Sequence, residues 1–173
     1  MKKEIRDLLR LRAIAMAEEP EQNNDVSITV QLITFTLAGE NYGIESDYVR
    51  EVFPLKDITP LPGVASYILG VVNVRGQIIP VVDLKKFFNL PEKGIGELNK
   101  IIILQNDQME FGILTDIVHG TQTIDIKEIK NIPSSISGIG EAYLKGVTKE
   151  SLIVLNAGKL LSDKSIIVHH EQT

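Results

Sequence analysis

The feature that most constrains this chain is that it contains itself twice. Leu32 to Val49 lies on Ile101 to Val118 at a constant offset of 69, so that Tyr42-Gly43-Ile44 meets Phe111-Gly112-Ile113 and Asp47 meets Asp116. Farther along the offset becomes 76, where Tyr67, Gly70 and Val71 meet Tyr143, Gly146 and Val147. It then drops to 73, and Leu84-Lys85-Lys86-Phe87-Phe88 meets Ala157-Gly158-Lys159-Leu160-Leu161. Chance similarity between β-rich segments is the alternative explanation. Two strand-rich units of roughly 60–70 residues are each marginal as isolated domains, so a shared interface is expected.

Within each copy the apolar runs are short, β-branched and separated by turn signals. The strands drawn from them are Ile28 to Leu37, Asn41 to Ile44, Tyr48 to Phe53, Val71 to Arg75, Ile78 to Asp83, Lys100 to Gln105, Glu110 to Leu114, Ile117 to Asp125, Leu144 to Thr148 and Ser151 to Leu155. Short helical turns are expected at Leu84 to Phe88, with Asp83 as N-cap, and at Ala157 to Leu161. The pattern is that of a mainly β protein, a small barrel or sandwich. Before it, Lys3 to Glu18 has a helical apolar stripe of Ile5, Leu8, Leu9 and Met16. An acidic, proline-broken stretch to Asp25 follows, which predicts a helix on a mobile tether.

Gly70 to Leu84 is the block that speaks to function. Val71 to Val74 and Ile78 to Val82 flank Arg75-Gly76-Gln77, so one arginine sits at the tip of an apolar hairpin whose glycine supplies positive φ. Alternation puts Val71, Asn73 and Arg75 on one face, and Val72 and Val74 on the other. A guanidinium on a rigid turn suits recognition of a carboxylate or a backbone carbonyl; a solvated turn charge is the plain alternative. Upstream, Val49 and Glu51 alternate on one face with Phe53 and embed a carboxylate in an apolar row, unless Glu51 is an edge-strand charge that blocks unwanted pairing. The loop Asn131 to Gly140 holds three isoleucines among serines and glycines; Ile132 is read toward the core and Ile136 toward a contact patch.

Several chemistries find no support. The chain has no cysteine, which excludes disulfides, thiolate catalysis and cysteine-ligated zinc. His119, His169 and His170 have no second ligand or nucleophile at motif spacing. Asp47 and Asp116, being equivalent in the two copies, read as a repeated turn or cap rather than an acid/base pair. Gly138-Ile139-Gly140 lacks the strand, third glycine and lysine of a phosphate loop. No enzyme, cofactor or metal site is expected. A net charge of −5 with 5% aromatic residues disfavours a nucleic-acid surface. No run is long enough to span a bilayer, and the N-terminus lacks the unbroken apolar core of a signal peptide.

The ordered set Tyr42-Gly43-Ile44, Val49-Arg50-Glu51-Val52, Leu69-Gly70-Val71, Asn73-Val74-Arg75-Gly76 and Ile79-Pro80-Val81-Val82-Asp83-Leu84 resembles the CheW family of chemotaxis adaptors, from about Gln31 to about Leu161. The resemblance implies two intertwined, five-stranded SH3-like barrels. It divides the chain into an N-terminal helix and linker (1–27), a CheW-like domain (28–162, with barrels near 28–92 and 98–156 exchanging strands) and a tail (163–173). It implies a cytoplasmic, non-enzymatic adaptor at membrane-associated receptor arrays that joins the chemoreceptor tip to the regulatory domain of the histidine kinase CheA, without nucleic acid and without inserting in the membrane. The residues it assigns to partner surfaces are Val49, Glu51, Gly70, Asn73, Arg75, Gly76, Ile101 and Ile102, to which the loop reading adds Ile136. Two departures stand against it: a longer N-terminal helix, and Ser134-Ser135 where a bulkier apolar residue is expected. Remaining alternatives are an adaptor of another chemosensory system, such as one driving type IV pili, and a small barrel binding nucleic acid or a small ligand.

Overall fold

The computed structural model describes residues 27–91, 99–131 and 141–166. The expected N-terminal helix, the isoleucine loop with Ile132 and Ile136, and the end of the tail lie outside them. Among the described residues ten strands form: β1 (Thr29–Leu37), β2 (Glu40–Glu45), β3 (Val49–Pro54), β4 (Ile68–Val74), β5 (Gln77–Val82), β6 (Lys100–Gln105), β7 (Glu110–Thr115), β8 (Ile117–Asp125), β9 (Leu144–Val147) and β10 (Ile153–Leu155). Two short helices, α1 (Leu84–Phe87) and α2 (Ala157–Leu161), close the copies. Every strand falls where its apolar run predicts. β4 begins earlier, at Ile68, and ends before Arg75, which belongs to the turn. Each helix starts on a polar cap: Asp83 accepts from the Lys85 amide at 3.0 Å, and Asn156 from the Lys159 amide at 3.1 Å.

Neither copy makes its own sheet. One five-stranded sheet runs β8-β1-β2-β10-β9 and the other β3-β6-β7-β5-β4. The opening hairpin of each copy is therefore completed by the last three strands of the other. The junctions obey the duplication: Val81 pairs with Gly112 in the parallel β5/β7 contact, and Val154 with Gly43 in the parallel β10/β2 contact. The chain changes sheets at the 3₁₀ turn Ser46–Tyr48 and again at Asp116. These two crossings hold the equivalent aspartates. At the second, Asp116 accepts from the Ala38 amide at 2.9 Å and pairs with Lys85 Nζ at 2.8 Å, the lysine side chain being 4% exposed. Asp116 ties this crossing to the distant β1–β2 turn and to α1 through a part-buried ion pair, rather than capping its own turn.

Each sheet curls into a small barrel, the β1 barrel and the β6 barrel after the strand that opens each copy, and the core has three parts. Val72, Val74, Ile79, Val81, Ile101, Ile103 and Leu114 fill the β6 barrel, and Leu32, Ile124, Leu152 and Val154 fill the β1 barrel. The largest cluster lies between them and joins Phe35, Leu37, Tyr42 and Ile44 to Ile102, Leu104, Phe111 and Ile113. β6 is thus buried on both faces, which explains its unbroken Ile-Ile-Ile-Leu run. Over one end of the seam, Phe87 stands edge-on to Tyr67 and Tyr143, with ring centroids 4.9 and 5.3 Å away. The two equivalent tyrosines donate to the segment after α2, Tyr67 to the Ser165 carbonyl at 2.7 Å and Tyr143 to the Asp163 carboxylate, and Ile166 is fully buried beyond them.

Candidate functional site

The β4–β5 hairpin closes in the shortest way available. Val74 pairs with Gln77, leaving a two-residue loop in which Arg75 has φ 54° and Gly76 φ 85°, the positive pair that a type I′ turn requires. Asn73 stabilises the loop by accepting from the Gly76 amide at 2.9 Å. An arginine in the left-handed region costs roughly 1–2 kcal/mol. A glycine or asparagine would relax the turn, so the arginine is held there against its backbone preference. Its side chain is 73% exposed and pairs with Glu51 at 2.8 Å.

Glu51 belongs to a larger polar cluster at the end of the β6 barrel. Arg50 Nε lies 3.6 Å from the same Glu51 oxygen. Arg50 Nη1 donates to Glu110 at 2.6 Å and to Gln77 at 2.9 Å, and Gln77 donates to Glu110 at 2.7 Å. The Glu110 hydrogen bond raises the Arg50 pKa beyond its already high value. Two arginines, two glutamates and a glutamine from β3, β5, β7 and the hairpin tip thus form one charge-balanced network. Ile78, 52% exposed, stands beside it. A shallow hollow of about 410 Å³ lined by Leu55, Lys56, Asp57, Ile58, Pro60 and Leu69 opens on the same barrel.

The structure corrects several sequence assignments. Val49 and Glu51 do not share a face: a β-bulge between them pairs Val49 with Leu104 but Glu51 with Ile103, so Val49 packs toward the inter-barrel core while Glu51 follows Phe53 toward the other side. Ile101 and Ile102 are 0% exposed and belong to the cores. Gly70 is buried as well; a Cβ there would meet the Thr59 carbonyl oxygen at 2.4 Å, and at Gly146 it would meet that of Lys130 at the same distance. These glycines admit the strand-end bridges Thr59↔Val71 and Lys130↔Val147. Asn73, Gly76 and Arg75 do come together with Glu51 at the surface; Ile136 lies outside the described residues. Arg50, Gln77 and Glu110 were missed, since no spacing rule links residues from three strands and a bulge leaves no mark in the pattern.

The sequence profile described as the CheW-like domain matches residues 31–165. The chain belongs to the CheW-like family. It is 33% identical to a chemotaxis protein CheW of Treponema pallidum over 165 residues, covering 91% of this chain and 93% of that one. It is 32% identical to the chemotaxis protein CheW of Bacillus subtilis, covering 73% and 81%, and 31% identical to protein FrzA of Myxococcus xanthus, covering 87% and 91%. Among solved structures it is similar to the scaffolding protein TtCheW of Thermoanaerobacter tengcongensis, with a TM-score of 0.68 and 32% identity over 76% of this chain and 86% of that one. The CheW fold accounts for the paired barrels. Among the described residues of this CheW-family chain, no cluster of three or more His, Cys, Asp or Glu side chains could hold a metal ion, and no helix is long and apolar enough to cross a membrane. His119 is exposed on β8, its Nε2 2.7 Å from the Thr36 hydroxyl.

Proposed function

We propose that the chain is a non-enzymatic adaptor that couples chemoreceptors to the histidine kinase CheA, working in the cytoplasm at membrane-associated receptor arrays. The family match over residues 31–165 carries this reading. The names of the matched relatives, chemotaxis proteins and a scaffolding protein, support it. Within it, Arg75 and Glu51 are the contact residues, with Asn73 and Gly76 shaping the turn and Val49, Gly70, Ile101 and Ile102 supporting the surface from beneath. An exposed fork-shaped cation on a rigid turn, next to the half-exposed Ile78, offers a partner both register and an apolar anchor.

Affinity capture from the source cell, with the full chain as bait, tests the reading. A multidomain histidine kinase and a receptor are expected in the capture, and the absence of both would overturn it. Arg75→Glu serves as the site variant. It sets a second carboxylate beside Glu51 on an exposed turn, so stability should change by about 0.5 kcal/mol. Loss of an interfacial charge pair costs about 2–5 kcal/mol, and the kinase, the receptor or both should disappear from the capture. A folded variant that retains both partners would reduce Arg75 to a solvated turn charge.

A further inference from the structure

Arg50 is the residue that the bulge in β3 leaves unmatched, lying between Val49, paired with Leu104, and Glu51, paired with Ile103. Bulges re-aim side chains, and this one sends Arg50 across the barrel end to Glu110 on β7 and Gln77 on β5. Glu51 is consequently shared by two arginines of unequal freedom. Arg50 is anchored by two hydrogen bonds from Nη1, and its side chain is 25% exposed. Arg75 is 73% exposed, and Glu51 is its ion-pair partner among the described residues.

We propose that Arg50 is the positioning residue of this site: it keeps Glu51 charge-compensated from within the barrel end, so that Arg75 can exchange Glu51 for a carboxylate of a protein partner. The proposal rests on the reading of Arg75 as a partner contact. Withdrawing the sole cation from a half-buried carboxylate leaves an uncompensated charge, whereas withdrawing one of two does not. Glu51, 20% exposed and with Arg50 Nε 3.6 Å away, is in the second situation. A guanidinium can do this because it addresses Glu110 through Nη1 and Glu51 through Nε at once. A lysine has one nitrogen for both tasks.

The test is a double-mutant cycle on the full chain, read as affinity for whichever partner, kinase or receptor, Arg75→Gln binds measurably but more weakly. Arg50→Gln should weaken that binding about tenfold in the native background and leave it unchanged in the Arg75→Gln background, because Arg50 acts through Arg75. Arg50→Lys, which keeps the charge without the two-carboxylate reach, should behave as Arg50→Gln does. Equal losses in both backgrounds would show a merely structural role, and no loss in either would overturn the proposal outright. Should Arg50→Gln fail to fold, Arg50→Gln combined with Glu110→Gln removes the orphaned carboxylate and allows the same comparison. If Arg75→Gln itself binds both partners normally, the contact reading fails and this proposal with it; if Arg75→Gln loses a partner while Arg50→Gln does not, the proposal fails alone.

Discussion

Gly70 shows how far a motif can mislead about a residue's task. Its place beside the arginine hairpin groups it with the contact surface, yet its φ is +151° and a Cβ there would meet backbone at 2.4 Å. Gly70→Ala should therefore destabilise the protein by about 3 kcal/mol, through backbone strain and overpacking. Chemical denaturation measures this. An unchanged midpoint with lost partner binding would return Gly70 to the surface. At Arg75 the sequence was more informative, because a charge between two β-branched runs has nowhere to go but the tip. The network behind it was not legible: Arg50 sits among the other residues of its strand, Gln77 falls in the turn, and Glu110 merely opens its strand. What brings them together is the reciprocal sheet order and a bulge, both of which depend on contacts far apart in the chain.

Elements were the most legible level, since short β-branched runs and Asp83 before Leu84 are local signals, and the ten strands and two helices among the described residues follow them. Less legible was the stretch 163–166 after α2, which Tyr67, Tyr143 and the buried Ile166 tie down. Its attachment depends on pH. The hydrogen bond to Asp163, and then burial, push the Tyr143 pKa up to about 12. A raised folded-state value means stabilisation that is complete below the ordinary tyrosine pKa near 10 and lost as pH rises toward 12. For Asp163, burial alone would raise the pKa, but donation from Tyr143 and Ser165 outweighs it and the net shift is downward. That stabilisation is present above the ordinary aspartate range and lost as pH falls through the lowered value. Unfolding free energy should accordingly decline more steeply between pH 10 and 12 in the native protein than in Tyr143→Phe. Tyr42, raised to about 12 chiefly by burial, declines in both and cancels. Parallel curves would mean the tyrosine hydroxyl does not secure the segment.

The whole molecule is a reciprocal exchange, with each barrel built from two strands of one copy and three of the other. Neither half can then fold alone. Fragments 1–95 and 96–173, produced separately, should show no cooperative melting, and mixing them should give a one-to-one complex with the native circular dichroism spectrum. A fragment that melts cooperatively by itself would contradict the exchange. The duplication foretold two units, but their interleaving follows from where the chain crosses at Ser46–Tyr48 and Asp116, which no local pattern announces. The same layout sets a timetable on the ribosome. All five strands of the barrel that bears Arg75 exist once Thr115 has emerged, whereas the β1–β2 hairpin, made first, waits for Leu155. At about 5–20 residues per second that wait lasts several seconds, with Leu32 short of Ile124, Leu152 and Val154, which finally bury it. The first-made hairpin of the fold is the last to find shelter, and it is there that a chaperone would have something to hold.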